Sequence, residues 1–214
     1  MARAATQQPD LGPGMTRKGQ ATRHRIVAEA AALMYERGVA GTSTEDVQRA
    51  AGVSASQIYY YFTSKKALVQ AVIAYQTDAV LAVHAPMLTR LDSIDALEAW
   101  RDLVVSLCRE RRNQQGCPIG SLSSELASTD PDARADLLAS FTRWEHAIRD
   151  GLRAMRRRGQ LPAAADPDRL ALALLAALQG GLLLTQARRD TTALETALDT
   201  IIDTIRHPGG DQPA

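Results

Sequence analysis

Cysteine is almost absent from this 214-residue chain: Cys108 and Cys117 are too few for a disulfide framework and lack the paired spacing of a zinc site. That usage fits a reducing compartment, so a cytoplasmic protein is expected, with no metal and no cofactor. Aromatics are also scarce, at 4%, which points to aliphatic packing. An excess of one charge is missing too. With 25 Lys+Arg against 24 Asp+Glu and a formal net charge of +1, a uniformly polybasic protein and an acidic solvating tail are both excluded. The alternating β-branched runs and Asn-Gly turns of strands do not occur. No apolar run is long enough for a membrane span: Leu170 to Leu184 is broken by Gln179 and falls short of the roughly 20 residues required, so it reads as a buried helix and no membrane partner is expected. Residues 1–20 carry no apolar run and are not expected to be a secretory signal; they read as a disordered arm.

What is present is helical. The 45% apolar content can build a sizeable core, and after Thr22 apolar residues recur at three-to-four spacing. The expected fold is all-α, about nine helices, with an N-terminal three-helix head and a C-terminal helical bundle. Charge divides the same way. Residues 1–70 hold 9 basic and 5 acidic side chains, net +4, whereas residues 71–214 hold 16 and 19, net −3. Helix starts and stops are legible: Gly38 ends a helix over 22–37, and Thr44 with Glu45 and Asp46 opens a second that stops at Gly52. Ser54 caps a third helix and Ser64 a fourth, which is expected to reach about Ala82 before Pro86. Asp-Pro-Asp at 130–132 and again at 166–168 places a proline just inside a helix start, where its missing N–H costs nothing. The expected domains are a 21–66 head and a 67–207 body, followed by a disordered 208–214 tail.

The head contains a helix-turn-helix pattern. Val47 and Ala51 supply core contacts, Gly52 permits the tight turn, and Val53 packs with Ile58. Ser54, Ser56, Gln57, Tyr59 and Tyr61 then remain outward, while Tyr60 and Phe62 are assigned to the core. Short polar and aromatic side chains at a helix N-terminus suit base edges and phosphates in a major groove, although a plain helical hairpin shares the same periodicity.

Ala21 to Gln76 resembles the N-terminal domain of the TetR family of bacterial transcription regulators. The resemblance rests on Tyr35-Glu36-Arg37-Gly38, Thr42 and Thr44 before Val47, Ala50-Ala51-Gly52-Val53-Ser54, Ile58-Tyr59-Tyr60-Tyr61-Phe62 and Ser64-Lys65-Lys66-Ala67-Leu68. It implies a homodimeric, ligand-responsive repressor on a pseudo-palindromic double-stranded DNA operator. Thr44, Tyr59 and Lys65 would hold phosphates, and Ser54, Ala55, Ser56 and Gln57 would meet the groove. Tyr61 stands where many members carry histidine. Arg17, Lys18 and Arg23 could extend the footprint as a basic arm.

Body sequences vary more in that family, but Gly116-Cys117-Pro118-Ile119-Gly120-Ser121-Leu122 with Glu125, and Leu178-Gln179-Gly180, are similar to motifs of one branch. In some members of that branch the cysteine senses electrophiles or oxidants; the alternative for Cys117 is a small buried hydrophobe. The resemblance also implies an effector pocket between helices four to eight, for which Trp100, Leu103, Leu107, Cys117, Phe141, Trp144, Ile148 and Leu175 are the available side chains. Leu170, Leu174, Leu178, Gly181, Leu182, Leu198 and Ile202 are candidates for a dimer seam, with an ordinary intramolecular core as the alternative. No catalytic arrangement, P-loop or metal-spaced histidine pair appears, so no enzyme activity is expected; a helical interaction protein with a silent helix-turn-helix is the other class.

Overall fold

The computed structural model describes residues 15–161 and 165–207, so the tail and most of the expected arm lie outside the described residues. Nine α-helices and no strands occur among the described residues: α1 (Arg17–Arg37), α2 (Thr44–Ala51), α3 (Ala55–Tyr61), α4 (Lys65–Leu88), α5 (Ile94–Glu110), α6 (Pro118–Leu126), α7 (Pro131–Arg157), α8 (Pro167–Arg188) and α9 (Thr192–Arg206). The chain divides into two compact units, residues 1–72 and 73–214, with the division inside α4.

In the first unit Ile26, Val27, Ala30, Ala31 and Met34 form the buried stripe of α1, closed by Val47, Ala51, Val53, Ile58 and Phe62. α1 begins earlier than its apolar pattern suggests. The Thr16 hydroxyl accepts the Gly19 N–H at 3.2 Å, so residues 17–20 are helix rather than arm. α2 is capped by Ser43, not Thr44: Ser43 Oγ accepts the Asp46 N–H at 3.1 Å while Asp46 accepts the Ser43 N–H at 3.0 Å. These bonds and the nearby Arg49 hold the Asp46 carboxyl down at about 2. Gly52 closes the helix at φ 60°, a left-handed conformation that costs glycine little, and so sets the turn into α3.

In the second unit both Asp-Pro-Asp segments do what their chemistry requires. Asp130 accepts the N–H groups of Asp132 and Ala133, and Asp166 those of Asp168 and Arg169, at 2.9 to 3.4 Å. α4 does not stop near Ala82; it continues through Pro86 to Leu88, because a proline two residues from a helix end forfeits a single bond there. α4 and α8 are long and apolar enough to cross a bilayer by length and composition. α8 contributes Leu174, Leu175, Leu178 and Leu182 to the core, and α9 contributes Leu194, Leu198, Ile202 and Ile205. A Cβ on Gly181 would sit 2.8 Å from the Leu194 Cα, so this glycine permits close α8–α9 contact within one subunit.

That arrangement corrects the expected dimer seam. Leu174, Leu178, Gly181, Leu182, Leu198 and Ile202 are buried inside the single chain, and Leu170 is half-buried. The outward stripe of α8 is different: Leu172, Ala176, Gly180, Leu183, Leu184 and Ala187, with Leu172 57% and Leu183 65% exposed. A helix that is apolar all round gives no periodicity from which to choose its inner face.

Candidate functional site

α3 is the shortest helix, and its orientation follows from two residues. Ile58 and Phe62 are four apart, share one face and are both buried. At about 100° per residue, Ser56 and Tyr60 must then lie on the opposite face, with Gln57 and Tyr59 flanking them. Tyr59 is 59% and Tyr60 76% exposed, so Tyr60 is not a core residue. Hydrophobic character pointed inward, but the angle around the helix prevails. Phe62 is buried as expected.

Ser54 caps α3 through a reciprocal box: its hydroxyl accepts the Gln57 N–H at 3.2 Å and its N–H donates to Gln57 Oε1 at 2.9 Å. Ser54 Oγ also lies 2.9 Å from Ser56 Oγ. The Gln57 carbonyl is thereby engaged at home, and its Nε2 group remains as an outward donor suited to acceptor atoms on base edges. Ala55 is exposed beside them.

The remaining predicted residues surround this face unevenly. Thr44 is the first residue of α2, and its hydroxyl donates to Glu45 at 3.3 Å. Lys65, at the start of α4, donates from Nζ to the Val39 carbonyl at 2.7 Å, which ties the α1–α2 loop down and leaves two ammonium hydrogens. Tyr61 is half-buried; its hydroxyl lies 3.4 Å from where a Cβ on Gly19 would stand, along α1, and its ring meets that of Tyr60 edge to face with the centroids 5.0 Å apart. Arg23 stacks over Phe62, with Cζ 5.1 Å from the ring centroid. Arg17 and Lys18 are exposed in the first turn of α1, where cations oppose the helix dipole and gain from an anion.

The second unit holds a cavity of 170 Å³ walled by α4, α5, the α5–α6 loop, α7 and α8. Of the expected pocket residues, Leu107, Cys117 and Trp144 line it. Trp100, Ile148 and Leu175 lie in the core beyond it, and Leu103 is off the α5 stripe of Val104, Leu107, Cys108 and Arg111. Phe141 lines a neighbouring cleft with Cys117 and Gln179. Sequence reasoning passed over Gln76, Val80, Val83 and His84, which fall on one stripe of α4, together with Arg111, Leu178 and Leu182. The signal was there: Gln76 and His84 occupy core-facing positions of an apolar helix, and such a polar residue usually has a use.

His84 is 7% exposed, stacks 5.0 Å from the Trp144 ring and accepts the Trp100 Nε1–H on Nδ1 at 3.3 Å. Burial first, and the Arg111 charge second, lower its pKa to about 4, so the ring is neutral. The thiols of Cys108 and Cys117 are pushed up by burial. For Cys117 this outweighs the hydrogen bonds from Gly120, Gln179 and Ile119, against the thiolate that a helix start would favour. Arg112 and Asn113 both adopt left-handed backbone in the loop after α5, with Asn113 held by its Nδ2 on the Arg189 carbonyl at 3.2 Å.

A tight turn before a short outward-facing polar helix, with a separate helical body enclosing a cavity, defines a helix-turn-helix transcription regulator. Residues 26–72 match the profile of bacterial regulatory proteins of the tetR family, and residues 93–201 match a tetracyclin repressor-like C-terminal domain. An HTH-type transcriptional regulator from the lacX 3' region of Lactococcus lactis is 31% identical over 188 residues, 84% of this chain and 91% of that protein. The regulator TtgR of Pseudomonas putida is 29% identical, covering 88% of this chain and 93% of its own. A TetR transcriptional regulator from Chloroflexus aurantiacus superposes with a TM-score of 0.77 at 31% identity, over 89% of this chain and 96% of that one. The chain belongs to the TetR family, whose members are DNA-binding transcription regulators, typically ligand-responsive repressors and not enzymes.

Proposed function

We propose that this chain is a cytoplasmic homodimeric repressor that holds a pseudo-palindromic operator with two copies of α3 and leaves it when a small effector fills the cavity of the body. The observation that carries this reading is the outer face of α3. Ser56, Gln57, Tyr59 and Tyr60 are all exposed there, and none is acidic. Arg17, Lys18, Thr44 and Lys65 belong to the same unit and supply candidate phosphate contacts, which position the protein without reading sequence. Ser54 and Ala55 enter the groove with the helix start, whereas Tyr61 and Arg23 support α1 and contribute less.

The outward stripe of α8 supplies the second half of the reading. Leu172, Ala176, Gly180, Leu183 and Leu184 form an exposed apolar row, and a Cβ on Gly180 would meet nothing within 4 Å. Such a row suits the same helix of a second copy, packed as part of a four-helix seam. α4 contributes Lys65 to the first unit and Gln76 to His84 to the cavity wall, so one helix touches both functions. The test is sedimentation of Leu183→Glu together with binding to the protein's own upstream DNA. A folded monomer that has lost operator affinity is expected; a dimer with unchanged affinity overturns the assembly.

A further inference from the structure

The cavity has a chemical polarity of its own. Its 170 Å³ is close to the roughly 150 Å³ apolar cavity that holds a single benzene ring in another protein. The space therefore suits one ring, or its aliphatic equivalent, with one small head group. Val80, Val83, Val104, Leu107, Leu178, Leu182 and Trp144 make the wall apolar. Among the described residues no Asp or Glu lines it, and Arg111 is the charged side chain present. The Arg111 guanidinium takes part in none of the ion pairs found among the described residues.

His84 supplies the second observation. An indole nitrogen can only donate, so the bond from Trp100 fixes Nδ1 as the acceptor and puts the proton of the neutral ring on Nε2. No other hydrogen bond engages this ring among the described residues, and the side chain is more than nine-tenths buried on the cavity wall. Nε2 is not one of the fully enclosed unpartnered atoms among the described residues, so it keeps contact with the space beside it, and an occupant that accepts from its N–H takes the place of solvent there.

We infer that the cavity is built for a monocarboxylate with an apolar body of about one ring, its carboxylate shared between the Nε2–H of His84 and the guanidinium of Arg111. This rests on the body being an effector domain. A doubly charged head group such as a phosphate would bring two negative charges against one guanidinium and set the excess against valines and leucines. A cation would meet Arg111 with like charge and find no carboxylate.

Calorimetric titration of the full-length protein with benzoate, benzamide and benzylamine tests this. Benzoate should bind at least about tenfold more tightly than benzamide, the size of a charge-assisted hydrogen bond, and benzylamine should not bind. Arg111 is exposed, so Arg111→Gln should fold normally; it should bring benzoate down to the affinity of benzamide, and Arg111→Lys should restore part of the difference. Equal affinities for benzoate and benzamide, tighter binding of benzylamine, no binding of any probe, or an undiminished preference in Arg111→Gln each overturn the assignment. Benzoate that binds through Arg111 but leaves operator affinity unchanged upholds the cavity's chemistry and contradicts the regulatory reading instead.

Discussion

In the first unit the side chains proposed to act stand on the outer face of a seven-residue helix; in the second they stand inside a cavity with apolar walls. The head spends its buried residues on fixing one angle, so that Ile58 and Phe62 decide where Ser56 and Tyr60 point. Its outward groups stay in water, and a local cap holds the Asp46 carboxyl down. The body does the reverse. It buries a histidine, an indole and two thiols around a void, and burial is the first cause of the shifts of the imidazole and the thiols. An exposed face can change partners with little effect on folding, whereas a polar group in a core links ligand, proton and stability.

The largest expected effect is therefore a pH dependence that arises at His84 in the body. Unfolded, the His84 imidazole takes up a proton near 6.5; folded, only near 4. Between those values the unfolded chain binds more protons, so stability falls as pH is lowered, by at most about 3 kcal/mol. Asp46 in the head has its pKa lowered from 3.8 to about 2, so its contribution is intact across that window and is lost only in stronger acid. Urea denaturation at pH 7 and pH 4.5 should show a loss in wild type that His84→Gln diminishes; equal losses in both proteins would remove His84 as the source.

Next in size is the contrast between adjacent glycines. Gly181→Ala drives a methyl into Leu194 and should cost roughly 2 kcal/mol in thermal denaturation, while Gly180→Ala faces open space and should stay within about 0.5 kcal/mol. Equal costs would show that the inner face of α8 has been misplaced. In the head, Tyr60→Ala should leave the melting temperature unchanged and weaken operator binding about tenfold. A stability loss without a binding loss would return Tyr60 to the core. The smallest effect is expected at Cys117, 7% exposed with a raised pKa. Iodoacetamide should label it far more slowly than the unfolded chain, and Cys117→Ser should keep operator affinity within about twofold. Rapid labelling that releases the operator would restore the sensing role.

The same contrast explains what could be read in advance. Caps and stops are local chemistry, so Ser54, Gly52 and the two Asp-Pro starts were legible, and the cap of α2 was misread by one residue because Thr42, Ser43 and Thr44 all carry the required hydroxyl. Tyr60 was misplaced because four consecutive aromatics look like core, although Ile58 and Phe62 four apart leave no room for it there. In the body the information lies in how long helices are rotated. α8 is apolar on every face, so its sequence alone could not separate inward Leu174 and Leu178 from outward Leu172 and Leu183. The cavity is a space left between helices, and Trp100, Ile148 and Leu175 have the composition of a pocket lining while packing beyond its end.

The central claim is that two copies of this chain read one DNA duplex through α3. It is tested most directly by titrating the full-length protein onto a duplex carrying its own upstream sequence over a range of salt concentrations, with a scrambled duplex of equal length as competitor. The account predicts a plateau at two chains per duplex or a multiple of two, preference for the native sequence, and a log–log slope of affinity against salt corresponding to several released counterions. Binding that the scrambled duplex competes away equally well, or saturation at one chain, would contradict it.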